Sequence, residues 1–272
     1  MNNEELSIIV SSTDSYSDMW PDFFACFKKF WPDCPYKIYL VTNELTPEFR
    51  GVEIINCEKD AQWSERMRRA LNMIQSKYVC FLLDDFYISG EVDTSLVQKS
   101  LEFMDHEHIL YYKLMTMSKI PSSEYKSIPY IYEITASLKY GISLCSSIWD
   151  RKLFLEKIGN DNYNPWKFEV NRLNEEEKAI NSKKIVGVFD NRNILNITHM
   201  VVQGKYLPKA VRQMNERGYK IENRKREIMH GNEYFIYKCK IFGTMIQRKI
   251  PFLKKLVMPI YKKYSISYRN RN

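Results

Sequence analysis

Tyr78-Val79-Cys80-Phe81-Leu82-Leu83-Asp84-Asp85 is the stretch on which the fold turns. Its first six residues carry no charge and read as a strand buried on both faces, the mark of a parallel sheet covered by helices. The run then ends abruptly in two carboxylates. Open α/β sheets bind ligands beyond the carboxyl ends of their strands, so this strand delivers paired acids to the crevice.

The segments before it repeat the pattern. Ser7-Ile-Ile-Val-Ser-Ser12, Lys37–Thr42 and Val52–Asn56 read as further strands. Ser17 is predicted to cap a helix that carries Pro21 in its first turn and Trp20, Phe23, Phe24, Phe27 and Trp31 at helical spacing. Ser64 is predicted to cap a second, with Met67, Ala70, Leu71 and Ile74 on one face. This order predicts an α/β fold: a mainly parallel, Rossmann-like sheet over residues 7–89 with helices on both faces. Its carboxyl edge gathers Thr13-Asp14, Asn43, the Cys57–Trp63 loop and Asp84-Asp85.

From about residue 94 the rhythm changes. A helix through Leu96, Val97, Leu101 and Met104 precedes strand-like segments near 108–115, 128–135 and 141–146, then a helix at 150–158. An acidic helix runs from Pro165 to Ile180, and Glu175, Glu176 and Glu177 read as solvated surface. Strands near 184–189 and 194–198 and a helix from Pro208 to Gly218 follow. Tyr111, Tyr112, Tyr130 and Tyr132 alternate in strands, which predicts that half of them face the core.

Composition narrows the function classes. Hydrophobic residues at 44% and charged residues at 27% suit a soluble globular chain and exclude disorder as its main state. There are 9 glycines in 272 residues and neither a GxGxxG nor a GxxxxGK[ST] pattern, so a glycine-rich phosphate loop is not expected. No apolar run reaches the roughly 18 residues of a membrane span. Met1–Leu6 has neither a basic residue nor an apolar core, which reads as a cytoplasmic start rather than a signal peptide. The cysteines show no CxxC and the histidines no HExxH, so neither structural zinc nor disulfides are expected.

Charge divides the chain near residue 230. Tyr234–Asn272 holds ten basic residues and no acidic one, while the preceding 233 residues carry all 33 acidic groups. The basic residues are interleaved with Ile, Leu, Phe and Met, a pattern that suits an anionic membrane surface better than nucleic acid. The pairs Ile241-Phe242, Met245-Ile246, Phe252-Leu253 and Leu256-Val257 are predicted to lie on short amphipathic helices broken at Pro251 and Pro259.

Adjacent carboxylates repel unless a cation or donor groups lie between them. A divalent metal bridging a diphosphate fits Asp84-Asp85, with the remaining oxygens taking sugar hydroxyls; a turn pair is the alternative.

Ser7–Asp14, Asp60-x-x-Trp63-Ser64 leading to Ala70-Leu71, and Leu82-Leu83-Asp84-Asp85-Phe86 together resemble bacterial GT-A-type glycosyltransferases of capsule, O-antigen and exopolysaccharide loci. Ser147–Arg151 and Pro165–Glu169 look like the acceptor-side segments of those enzymes, and Gly204-Lys205-Tyr206 like their late Gly-Lys-aromatic element. The resemblance implies a GT-A-like domain over 1–233, with a nucleotide-sugar half to about residue 93 and an acceptor half after it, and a membrane-associating tail over 234–272. It implies transfer from a UDP-sugar to a growing, lipid-linked surface glycan, at the inner face of the cell membrane and with inversion. Ser12, Thr13, Asp14, Asp60 and Arg66 would meet the nucleoside. Asp84 and Asp85 would stand for the family's D-x-D, although this sequence has Phe86 where the second acid often falls. Asp85 is assigned to Mn²⁺ or Mg²⁺, with His199 as a further ligand or else a structural histidine. Lys205 would neutralise the departing diphosphate or be a plain surface lysine. Glu169 is the candidate general base; a solvated charge paired with Arg172 is the alternative. Trp166, three residues earlier, would pack against a sugar ring.

Two other classes compete. A sugar-phosphate nucleotidyltransferase shares the α/β core, but its glycine-rich basic loop is replaced here by Ser-Ser-Thr-Asp-Ser at 11–15. A nucleic-acid-binding protein would use the basic tail.

Overall fold

In the computed structural model, residues 5–117, 122–221 and 225–239 are described. Of the basic stretch, Tyr234–Cys239 is described; the tail pairs from Ile241 to Val257 and everything from residue 240 onward lie outside the described residues. The chain divides into two compact units. One is built from residues up to Met200 together with Met214–Lys225, the other from Val201–Gln213 and the chain from Arg226 onward.

The uncharged runs become the inner strands of the first unit. β1 (Leu6–Ser11) is buried along its whole length and pairs in parallel with both β2 (Lys37–Thr42) and β4 (Tyr78–Leu83), and β3 (Val52–Asn56) extends the parallel set. Beyond β4 the sheet becomes mixed. Its full order is β3-β2-β1-β4-β8-β6-β9-β7, with β6 (Tyr111–Lys113), β7 (Ile131–Thr135), β8 (Ser147–Asp150) and β9 (Ile185–Asp190). β8 runs antiparallel to β4 and β6, so β6 and β9 again point the same way as β4. This is the mainly parallel, Rossmann-like α/β sheet that the sequence predicts.

Strand periodicity sorts the core into two layers. Ile9, Val41, Val79, Phe81, Tyr111 and Trp149 face α2 (Trp63–Met73), α4 (Arg151–Ile158) and α5 (Pro165–Lys178). There Trp149 stacks on Phe154 at 4.4 Å and Trp63 meets Phe168 edge-on at 5.4 Å. The alternate residues face α1 (Trp20–Phe30) and α3 (Thr94–Glu107), where Phe103 meets Tyr112 edge-on at 5.9 Å. Tyr111 and Tyr112 are therefore both buried, because β6 is an interior strand with helices over each face. No described helix is long and apolar enough to cross a membrane.

Two predicted caps are corrected. α1 begins at Trp20 after Met19, without a side-chain cap, and Pro21 alone marks its start. α2 begins after Gln62, so Ser64 lies inside the helix, where its hydroxyl donates to the Asp161 carbonyl at 2.9 Å and accepts from the Tyr163 N–H at 2.8 Å. The strand predicted near 141–146 forms instead at Ser147–Asp150. Residues 136–146 are irregular because side chains of α5 and β6, not a neighbouring strand, satisfy part of their backbone.

A short ribbon completes the first unit: β5 (Phe86–Ile88) pairs antiparallel with β10 (Ile197–His199), bringing Phe86 opposite His199. In the second unit, β11 (Val201–Val202) and β12 (Lys205–Tyr206) form a hairpin. Its two turn residues, Gln203 and Gly204, have φ of 53° and 78°, as a tight primed turn requires. α6 (Pro208–Glu216) follows.

Candidate functional site

The serines that end β1 are held by two tryptophans from helices on opposite faces of the sheet. Trp63 Nε1 donates to Ser11 Oγ at 3.1 Å, and Trp20 Nε1 donates to Ser12 Oγ at 2.6 Å. Ser12 Oγ in turn donates to Asp84 Oδ2, and Asp84 is only 6% exposed. The buried acid is thus fixed by a chain of hydrogen bonds that starts inside the core. Trp20, which helical spacing places in the core, is both core and donor.

Asp85 faces elsewhere. Its carbonyl accepts from the Met200 N–H at 2.8 Å, and its Oδ2 lies 3.2 Å from His199 Nε2. The His199 ring stacks on Phe86 at 4.4 Å with 8° between the planes. The ribbon register makes this pairing: once Phe86 opposes His199, the preceding acid reaches the imidazole across 114 residues of sequence.

Asp14 joins two loops. Its carboxylate accepts from the backbone N–H groups of Asn43 (3.0 Å), Glu44 (2.9 Å) and Leu45 (3.1 Å), tying the loop after β2 to that after β1. Thr13 is half-buried, with its hydroxyl 2.6 Å from Ser15 Oγ, and Asp60 is exposed in the loop before α2. Arg66 is buried and donates to the Ala61 carbonyl at 2.6 Å. Burial pushes its pKa down, opposed by the charges of Cys57, Asp14 and Asp84, so a cation lies within the field of two of the expected acids.

Glu169 is also at this edge of the sheet. Ser147 pairs with Phe81, so the residues just before Ser147 continue past the carboxyl end of β4, and the Leu144 N–H donates to Glu169 Oε1 at 2.7 Å. Burial raises the Glu169 pKa, opposed by the Leu144 N–H, Lys113 and Arg172. Arg172 pairs with Glu175 at 2.6 Å rather than with Glu169. Trp166, in the first turn of α5, is 62% exposed.

The reading of Glu176 as solvated is corrected. It is 8% exposed, accepts from the Tyr140 N–H at 3.0 Å, and burial pushes its pKa up to about 7. Its position seven residues after Glu169 puts it on the same inward face of α5. Lys113, which the sequence reading passed over, is 2% exposed and donates to the Tyr140 carbonyl at 2.8 Å. A lone lysine closing a short strand gives no sign of burial in sequence.

Lys205 belongs to the second unit, where it pairs with Glu233 at 2.8 Å and with Glu227 at 3.4 Å. Among the described residues, no three His, Cys, Asp or Glu side chains converge as a metal-ligand set. Asp85 and His199 offer two ligands. That number suits Mg²⁺ or Mn²⁺, which keep waters and take phosphate oxygens for their remaining positions.

No protein-family model and no curated protein matches the sequence. Among solved structures, the chain is similar to S. aureus TarS at 17% identity over 69% of this chain and 36% of that one, with a TM-score of 0.43. It is similar to the bifunctional IspDF from Campylobacter jejuni at 14% identity over 69% and 49%, with a TM-score of 0.38. A cytidylyltransferase from Leptospira borgpetersenii shares 10% identity over 68% and 74%, with a TM-score of 0.41. The chain spans about a third of TarS and about half of IspDF. At these scores the likenesses carry no argument about activity.

A cavity of about 420 Å³ opens at the other edge of the sheet, lined by Leu153, Arg172, Glu176 and Val186 among others. It meets the amino end of β9, whereas Ser12, Asp84, Asp85 and Glu169 gather at carboxyl ends. The polar groups that can hold charge and accept protons thus lie at the carboxyl edge, away from this cavity.

Proposed function

We propose that the carboxyl edge of the sheet binds a nucleotide-diphosphate sugar, a UDP-sugar in preference, and that the protein is a glycosyltransferase acting with inversion on a growing, lipid-linked bacterial surface glycan. The observation that carries this reading is the division of labour between the paired acids. Asp84 is buried and held by Ser12, while Asp85 stays partly open beside His199. One acid is thereby a fixed acceptor for ribose or sugar hydroxyls, and its neighbour is left for a cation.

Asp85 and His199 would hold Mn²⁺ or Mg²⁺, whose charge would offset that of the donor diphosphate. Arg66 adds a buried positive charge near the nucleoside end. Ser12 and Thr13 line the same edge. Glu169, with its pKa raised by burial, has the affinity for a proton that a general base for the acceptor hydroxyl needs.

The test is a panel of nucleotide sugars followed by thermal shift and donor hydrolysis, with and without Mn²⁺. Stabilisation and slow hydrolysis of one donor are expected. Release of pyrophosphate from a nucleoside triphosphate and a sugar phosphate would transfer the assignment to a nucleotidyltransferase.

We further propose that the basic tail holds the protein on the anionic cytoplasmic leaflet, where lipid-linked acceptors are presented. Each Lys or Arg near such a surface contributes up to ~1 kcal/mol. Removing residues 234–272 should abolish sedimentation with anionic liposomes while leaving turnover on a soluble acceptor analogue. Binding to RNA in place of liposomes would defeat this assignment.

A further inference from the structure

At the far end of the same sheet edge, an exposed aromatic ring is held in a conformation its residue type disfavours. Tyr130 has φ of 72° and is 53% exposed. Left-handed backbone is disfavoured at a bulky residue and persists only where neighbours impose it. Here the neighbours are visible. Ile131 pairs with Asp190 in the β7–β9 register, the Asn191 N–H donates to the Tyr130 carbonyl at 3.1 Å, and the Arg192 guanidinium lies 5.5 Å from the ring centroid.

Arg192 is itself fixed from below. Its Nε and Nη2 donate to the fully buried Asp190 carboxylate at 2.5–3.1 Å, and Tyr112 donates to the same carboxylate at 2.7 Å. The ion pair is closed on itself, so it brings almost no net charge to the surface. It serves to hold a flat cation against an aromatic ring that remains more than half open to solvent.

We propose that Tyr130, backed by Arg192, is a stacking platform for a neutral pyranose ring of the glycan acceptor. Such rings present an apolar C–H face to an aromatic π-system, and a platform without net charge selects by that contact rather than by charge. The platform sits on β7, four strands from β4, and strands lie about 4.8 Å apart. The separation is therefore roughly 19 Å, which is several sugar units from the donor acids. The role is that of a distal subsite gripping an extended chain while its growing end reacts. This rests on the glycosyltransferase reading for its purpose, but its binding needs neither donor nor turnover.

The test is saturation-transfer NMR on the full chain with methyl β-D-glucopyranoside, methyl β-D-galactopyranoside and maltopentaose. Transfer to at least one is expected, strongest at the ring C–H protons. Tyr130→Ala should weaken it at least tenfold, while Tyr130→Phe should keep affinity within about threefold of the parent. Arg192→Gln should weaken it less than Tyr130→Ala, and Asp85→Asn should leave it unchanged. Absence of transfer from all three glycosides overturns the proposal, as does transfer that survives Tyr130→Ala. Circular dichroism on each variant establishes that the fold is retained; because the Tyr130 side chain is exposed, its removal leaves the core intact. If Asp85→Asn shows no donor defect while Tyr130→Ala abolishes glycoside binding, the donor reading fails and the platform stands.

Discussion

Ser12 Oγ donates to Asp84 Oδ2 across 72 residues of sequence, and the same oxygen accepts from Trp20 Nε1 at 2.6 Å. A core tryptophan thereby sets the orientation of an acid at the carboxyl edge of the sheet. Removing the middle member leaves both neighbours without that bond. Ser12→Ala is expected to cost about 1–3 kcal/mol in urea unfolding, the usual range for a buried hydrogen-bonded group deprived of its partner. Trp20→Phe keeps most of the buried ring and loses one donor, so a loss of about 1 kcal/mol is expected. On the proposed function, both variants also weaken donor binding in calorimetry. An unchanged donor affinity in both would remove Asp84 from the donor site.

Asp85 and His199 form a separate unit, and their variants should behave differently. Asp85→Asn and His199→Ala are each expected to lower the apparent affinity for Mn²⁺ at least tenfold, with little change in the urea midpoint. The check is Mn²⁺ titration of donor binding. A donor that binds equally well with metal chelated would take metal ligation away from this pair.

Glu169→Gln keeps an oxygen for the Leu144 N–H and removes the proton acceptor. Turnover should fall by ~10²–10⁴ while donor affinity holds, the range for a lost general base. Most of the turnover surviving would point to a base elsewhere or to a retaining reaction.

Glu176 gives a pH signature of its own. Burial raises its carboxyl from 4.5 to about 7 despite Lys113 and the Tyr140 N–H, with Glu169 adding to the rise. Glu169 and Arg172, two turns and one turn earlier on α5, are the neighbouring charges on its own helix. A carboxyl that holds its proton more tightly when folded gives its full stabilisation below pH 4.5, and that stabilisation is lost as pH rises towards 7. At ~1.4 kcal/mol per pKa unit, the loss amounts to about 3.5 kcal/mol at most, complete only above pH 7. Urea unfolding of the parent and of Glu176→Gln at pH 5, 6 and 7 should show the parent losing stability relative to the variant along the series. A constant difference between the two would mean that the carboxylate is solvated.

The sequence by itself determined the strands β1 to β4, their parallel order and the delivery of Asp84-Asp85 to a carboxyl edge. Those features follow from uncharged runs and helical spacing, which are local, and burying them leaves few alternative arrangements. The tertiary structure alone decided which acid does what. Asp84 and Asp85 are adjacent in sequence yet turn to Ser12 and to His199, because one adjoins the end of β1 and the other is drawn by the β5–β10 ribbon. Asp14 was legible as an edge residue but not as the acceptor of three backbone N–H groups, which exist only once β2 lies beside β1. Glu176 differs from Glu175 and Glu177 in nothing the sequence displays. Only the docking of α5 over residues 136–146 buries it, because a carboxylate gains partners from whichever backbone the fold carries to it, and that backbone lies 36 residues away.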